Sequence, residues 1–253
     1  LPKKNNSFFY PSASLSWVFS DFMRSIDHKL PSWITFAKLR VSAAQVGKDP
    51  APYNLYNVRK YQFEMGNRKP INNTIKLNAN LKPEIKTSYE VGVDMKFLDN
   101  RLGFDFTYYY NTTKNQAMLV DASSPWTQQW VNAGKINNTG VEFMLYGTPV
   151  KTRDFQFDIT ANLAHNRSTV KELADGVNRV YFAGDSNMPV KVGAVKGGKL
   201  GDIFANNLMQ RDAQGRVIIG ADGLPMAATG DGNLEQYLLD HPIGNIQPDL
   251  LMS

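Results

Sequence analysis

Lys38, Arg40, Glu90, Asp94, Asp105 and Asp158 are the residues whose types first suggest chemistry. Paired carboxylates cleave glycosides when one is held protonated and the other ionised, so the four acids raise that activity. Their setting argues against it. Each lies on the polar side of a run that alternates polar with apolar residues, where any hydrated surface needs charge. No enzymatic activity is expected. Gly193-Ala194-Val195-Lys196-Gly197-Gly198-Lys199-Leu200 nearly spells a phosphate-binding loop, but Leu200 stands where a Ser or Thr hydroxyl would hold magnesium. Asp212, Asp222 and Asp231 sit in Gly-rich turns without the ligand spacing of a calcium loop. His28, His165 and His241 are far apart, and none has a neighbour of metal-site or triad type. No metal or cofactor is expected. Trp126 and Trp130 offer flat faces that can stack on sugar rings, or can serve as interface or loop-packing aromatics.

The elements that must position these residues are unusually regular. From Pro83 to Leu119 the chain makes two long alternating arms. Tyr89, Val91, Val93, Met95 and Phe97 oppose Glu90, Gly92, Asp94 and Lys96. Leu102, Phe104, Phe106, Tyr108 and Tyr110 then oppose Gly103, Asp105, Thr107, Tyr109 and Asn111. Period-2 alternation of this length predicts β-strands with one apolar and one polar face. Leu98-Asp99-Asn100-Arg101 between them predicts a tight hairpin turn, since Asp and Asn accept positive φ.

Further alternating runs lie at Phe8–Phe22, around Leu39-Arg40-Val41, at Val141–Leu145 and from Phe155 to Leu163. Arg24–Pro31 and Lys151–Asp154 read as short connections. The stretch from about Gly47 to Lys82, and Val120–Gly134, read as long loops. Connections that alternate short and long predict a transmembrane β-barrel, with tight periplasmic turns and long extracellular loops. Lys38, Arg40, Glu90, Asp94, Asp105 and Asp158 would then face the lumen, because a charge against lipid is costly. Trp126 and Trp130 would lie in an extracellular connection. A loop-rich section at about 168–247 is expected on the extracellular side, and Pro248–Ser253 reads as the start of a further strand, cut short.

Composition narrows the alternatives. An apolar fraction of 42% with 11% aromatic residues suits strands of which only every second residue meets lipid. It also suits a soluble secreted β-sandwich or adhesin-like module that binds a ligand through its loops. No apolar run is long enough for a transmembrane helix. The net charge of +5 is spread singly along the chain, so nucleic acid is not an expected partner. The absence of Cys removes disulfides and thiolate chemistry. Leu1-Pro2-Lys3-Lys4 leads into polar residues rather than a signal-peptide core, as expected of a cytoplasmic protein or of a chain without its natural start.

Several segments resemble, in order, the C-terminal part of the SusC/RagA-type TonB-dependent outer-membrane transporters of Bacteroidota. They are Phe8–Phe22, Phe36–Asp49, Leu81–Gln116, Trp130–Asn166, Gly197–Phe204 and Ile243–Asp249. The most specific are Leu81-Lys82-Pro83-Glu84 with Ser88-Tyr89-Glu90, Gly92 and Asp94, and Asn132-Ala133-Gly134-Lys135-Ile136 with Asn138, Gly140 and Glu142. The resemblance implies an all-β fold, an antiparallel barrel of about 22 strands closed by a plug domain. About six of those strands are expected here, so residues 1–253 would form part of the barrel domain, without plug, TonB box or closing strands. It further implies import of a bulky oligosaccharide or peptide across the outer membrane of a Gram-negative cell. Energy would come from the TonB-ExbB-ExbD complex through the plug, and a SusD-like surface lipoprotein would be the partner. Such a fragment is not expected to transport anything by itself.

Overall fold

The computed structural model describes residues 7–28, 30–50, 55, 60–71, 74–132, 134–183, 190–205, 209–210, 212, 214, 216–226 and 242–253. The chain divides into two compact units, residues 1–168 with 249–253, and residues 169–248. In chain order the elements begin with β1 (Ser12–Val18), α1 (Phe19–Ser25), β2 (Ile34–Lys48), β3 (Lys60–Glu64), β4 (Asn67–Ile71) and β5 (Ile75–Lys76). The long arms follow as β6 (Glu84–Phe97) and β7 (Leu102–Lys114), then β8 (Ala117–Asp121), β9 (Gln128–Asn132), β10 (Lys135–Lys151) and β11 (Gln156–Glu172). The remainder are β12 (Arg179–Ala183), β13 (Val190–Val195), β14 (Asp202–Ala205), β15 (Gly244–Asn245) and β16 (Leu251–Met252).

The first unit is built on a seven-stranded sheet in the order β1-β2-β6-β7-β10-β11-β16. Sequence neighbours lie side by side, an up-and-down pattern whose only interruptions are the elements carried by long connections. The β6–β7 hairpin is the one that alternation predicts. Leu98, Asp99 and Asn100 take φ values of 53°, 55° and 66°, and Arg101 N–H closes the turn on the Leu98 carbonyl at 3.1 Å. Asp and Asn tolerate that left-handed region through their short polar side chains; Leu98 enters it without that help.

Register carries each face across the strands. Leu15, Val41, Val91, Tyr108 and Val141 form one apolar row, and Trp17, Leu39, Val93, Phe106 and Phe143 form the next. Toward the tight turns, Trp33, Phe97, Phe104 and Phe143 make a chain of ring contacts with centroids 5.7, 6.0 and 5.9 Å apart. Such contacts tie neighbouring strands together. This apolar face is uncovered: Tyr89 is 54% exposed, Val91 45% and Tyr108 43%. A sandwich would bury these residues against a second sheet. Their exposure favours a lipid-facing surface, and the sandwich expectation is set aside.

The tight turns, residues 98–101 and 152–155, lie at one end of the sheet, as the pairing of Phe97 with Leu102 requires. The long connections leave from the other end, and their described residues include further short strands. β5, β9 and β8 form a three-stranded sheet. Asn132 anchors it: its Oδ1 accepts from Lys82 N–H at 2.6 Å, and its Nδ2 donates to the carbonyls of Lys82 at 2.8 Å and Asn115 at 2.9 Å. Met118 and Val120 of β8 are buried, as are Leu81 and Ile136 in the flanking segments. β3 and β4 form a separate hairpin through Met65 and Gly66, with φ values of 50° and 79°.

Two expectations are corrected in detail. The first strand ends at Val18 rather than Phe22, and Phe19–Ser25 is a helical turn. Trp17 packs edge-on against both Phe19 and Phe22, at 5.3 and 5.5 Å. That places the two rings at helical spacing, while Arg24 reaches Asp21 at 3.0 Å and the Thr35 carbonyl at 2.7 Å. The described residues of 169–248 are also more regular than their Gly and Asn content implies, since β12-β13-β14-β15 form a four-stranded sheet with Val180, Ala194 and Phe204 buried. The strand start read at Pro248–Ser253 is β16, which pairs with Leu163 and Ala164 of β11.

If the apolar face meets lipid, Val91→Arg at mid-strand should destabilise the folded barrel by about 2–4 kcal/mol, and Ser42→Arg on the polar face should cost far less. Urea unfolding of the full-length protein in lipid vesicles checks the difference.

Candidate functional site

On the polar face, Lys38, Asp94, Asp105 and Met144 stand in one cross-strand row, and Arg40, Gly92, Thr107 and Glu142 in the next. Asp94 and Asp105 are therefore direct neighbours, a like-charge pair that destabilises a sheet unless countered. Arg40 counters it. Its Nη2 donates to Asp105 Oδ1 at 2.6 Å, Asp105 Oδ2 at 2.8 Å and Thr107 Oγ1 at 3.2 Å. Lys38 stands opposite Asp94.

Gly92 makes that reach possible. Arg40 starts on β2 and ends on β7, so its guanidinium crosses β6 at the one position without a side chain. A Cβ on Gly92 would come within 2.8 Å of Nη2 and 2.9 Å of Nε. The device recurs, with the Tyr10 ring over Gly47 of β2 as one instance. The Tyr146 ring lies over Gly103, and the Tyr109 ring lies over Gly140, where its hydroxyl donates to Asn166 Oδ1 at 3.1 Å. Asn166 continues to Ser168 at 3.3 Å, and Ser168 donates in turn to Asn138. The buried Tyr146 hydroxyl has no hydrogen-bond partner among the described residues. None of the glycines stood out as a site in the sequence. The available signal was a Gly in mid-strand, which marks a close approach by a neighbour.

The remaining candidates separate. Asp158 lies apart near the tight turns, where it accepts from Thr148 Oγ1 at 2.6 Å and Gln156 Nε2 at 2.8 Å. Glu90 is exposed, flanked by Ser42 and Tyr109 in register. Trp130 belongs to β9 opposite Leu119, and its carbonyl accepts from Asn78 Nδ2 at 3.2 Å. Trp126 closes a turn on Ser123 at 3.2 Å. Both indoles are half-buried, so loop packing takes part of each.

The glycine-rich stretch forms β13 and a turn inside an antiparallel sheet. Asp202 Oδ2 accepts from Lys199 N–H there at 2.9 Å, so a carboxylate occupies the loop instead of facing an open anion cradle. Asp212 Oδ1 accepts from the backbone of Gln214 and Arg216, each at 2.9 Å, and Asp222 Oδ1 from Leu224 at 3.1 Å. These are turn-capping roles. Asp231 and His241 lie outside the described residues. His165 Nδ1 contacts the Asp249 carbonyl, and His28 is exposed. No cluster of metal-ligating side chains occurs among the described residues.

The Arg40 strap can be tested directly. Gly92→Ala should displace the guanidinium and remove its contact with Asp105. Since Arg40 is 39% and Asp105 23% exposed, the stability cost should stay near about 1 kcal/mol. A double-mutant cycle of Gly92→Ala with Asp105→Asn should show that the second change costs little once the first is made; additive costs would refute the strap.

Residues 1–193 match the family described as TonB dependent receptor-like, beta-barrel. The chain is 25% identical to the TonB-dependent receptor SusC of Bacteroides thetaiotaomicron, over 96% of its own length and 26% of that protein's. It is 26% identical to a TonB-dependent receptor of Formosa agariphila, over 68% of its length and 18% of the relative's. Among solved structures it superposes on the RagAB peptide transporter with a TM-score of 0.73 at 20% identity, covering 99% of this chain and 27% of that one. The RagAB peptide importer in its closed-closed state gives a TM-score of 0.72 at 19% identity, over 98% of this chain and 27% of the other. The chain thus spans about a quarter of the length of SusC. The family consists of outer-membrane receptors and transporters, not enzymes, which disposes of the glycosidase reading of the four acids. With its strand order, its uncovered apolar face and its matched residues accounted for, the chain belongs to the TonB-dependent receptor β-barrel family and is of the SusC/RagA type.

Proposed function

We propose that the chain forms part of the wall and surface loops of an outer-membrane transporter that imports a bulky nutrient, an oligosaccharide or a peptide, by active transport. The observation that carries this reading is the two-faced sheet. One face presents exposed Leu39, Val41, Val91 and Tyr108, and the other a charged row of Lys38, Asp94 and Asp105 with Arg40 reaching Asp105 from the next row. A hydrated lumen suits that polar face, because charges there avoid the cost of contact with hydrocarbon. On this reading Glu90 and Asp158 also face the lumen.

Energy would reach the transporter from TonB-ExbB-ExbD through a plug domain, and a SusD-like lipoprotein would cap the outer mouth. The description of RagAB as a peptide transporter supports a peptide cargo; the likeness to SusC keeps the partner reading in the same type of system. Residues 168–247 and the connection carrying Trp126 and Trp130 would belong to the extracellular side of a Bacteroidota-like outer membrane.

Deletion of the gene that encodes the full-length protein should abolish growth on one class of polymer, glycan or peptide, and removal of its TonB box alone should do the same. A lipoprotein should co-purify with the tagged wild type. Unchanged growth on every polymer the host uses would overturn the transport reading. If the exposed parts of the indoles touch cargo, Trp126→Ala should slow growth on that polymer at unchanged surface level, as quantified by surface labelling.

A further inference from the structure

Near the tight turns the apolar face is not flat. Leu98, Leu102, Leu145, Pro149 and Ile159 wall a groove of about 440 Å³, floored by Gly147 and Ala161. Its volume lies within the range of small-molecule sites, which run from roughly 300 to 1,000 Å³. The groove exists because two neighbouring strands carry small residues where their other outward positions carry large ones. Gly147 stands opposite Leu102, and a Cβ there would still leave 3.6 Å to Leu102 Cδ1. Arg101 lines the same groove at the turn and forms no ion pair among the described residues.

We propose that this groove binds one acyl chain of a glycerophospholipid from the periplasmic leaflet, with the lipid phosphate held at Arg101. The inference rests on the reading above, in which the apolar face meets lipid and the tight turns are periplasmic. The groove is apolar along its length and cationic at the end nearest the turn. Phospholipid at a membrane interface has the complementary arrangement, hydrocarbon in the core and anionic phosphate at the rim. The Trp33-Phe97-Phe104-Phe143 aromatic chain lies at the same end of the sheet, where an interfacial aromatic girdle belongs. A hydrophilic peptide or glycan would leave its polar groups unsatisfied against Leu102, Leu145 and Ile159. The turn end also selects among lipids, since the periplasmic leaflet supplies glycerophospholipid and the opposite leaflet is remote from Arg101.

The test uses the full-length protein, extracted in mild detergent, washed extensively and examined by native mass spectrometry with lipid extraction. Wild type and Gly147→Ala should each retain one phospholipid. Gly147→Leu and Ala161→Leu fill the groove from different strands and should lower retention several-fold. Arg101→Ala, at a turn outside the strand packing, should lower retention of phosphatidylglycerol when the protein is reloaded from vesicles containing it. Heat-modifiable migration on gels identifies the variants that remain folded. Wild type that inserts into bilayers yet retains no lipid would overturn the groove alone, as would folded variants that retain it equally. Failure of wild type to insert at all would instead overturn the membrane reading.

Discussion

A backbone amide surrounded by hydrocarbon bonds to a neighbouring strand or to nothing, and leaving it unpaired costs several kcal/mol. The first unit follows from that constraint. The strands of its seven-stranded sheet all run antiparallel, the long arms pair residue for residue, and the ladder is unbroken from Ile85 to Phe97 against Leu102 to Lys114. Once register is set this way, period-2 alternation sorts the side chains onto two faces, and a slip by one residue would turn every Asp toward lipid and every Phe away from it.

The polar face is assembled under a second condition, that its charges stay balanced at close range. Asp94 and Asp105 would repel as cross-strand neighbours, and Arg40 restores balance by spanning three strands. The surrounding aromatics use the same geometry, with Tyr146 over Gly103 and Tyr109 over Gly140. Long side chains lying flat across glycines bind adjacent strands without projecting far from the wall. Glycine, which usually weakens a strand, here provides the clearance that lets its neighbours be fastened together.

How much of this was legible follows from the range of each interaction. The β6–β7 hairpin and its turn depend on residues next to one another, and alternation with Asp99-Asn100 was sufficient. The face assignments of Lys38, Arg40, Asp94 and Asp105 followed from parity alone. Which of them meet did not, since Arg40 and Asp105 are distant in sequence and their contact depends on the relative register of three strands. The helix at Phe19–Ser25 escaped notice because Trp17 and Phe19 continue the alternation of β1, and only Phe22, out of phase with them, betrays helical spacing. The three-stranded sheet of β5, β8 and β9 was hidden for another reason. Its strands are short, and β5 joins β9 in parallel across a long separation, which leaves no local signature.

The turn at Leu98-Asp99-Asn100 has a consequence for how the chain comes together. A hairpin closed by so few residues forms within about 1–10 μs, because little loop entropy opposes it. The contact between β2 and β6 must wait for the far longer segment from Asp49 to Pro83 to be gathered in. The β6–β7 pair, like the β10–β11 pair closed over residues 152–155, is therefore a natural first piece of this wall to exist, with its aromatic side already presented to a membrane. The neighbouring strands inherit an edge on which their register is prescribed.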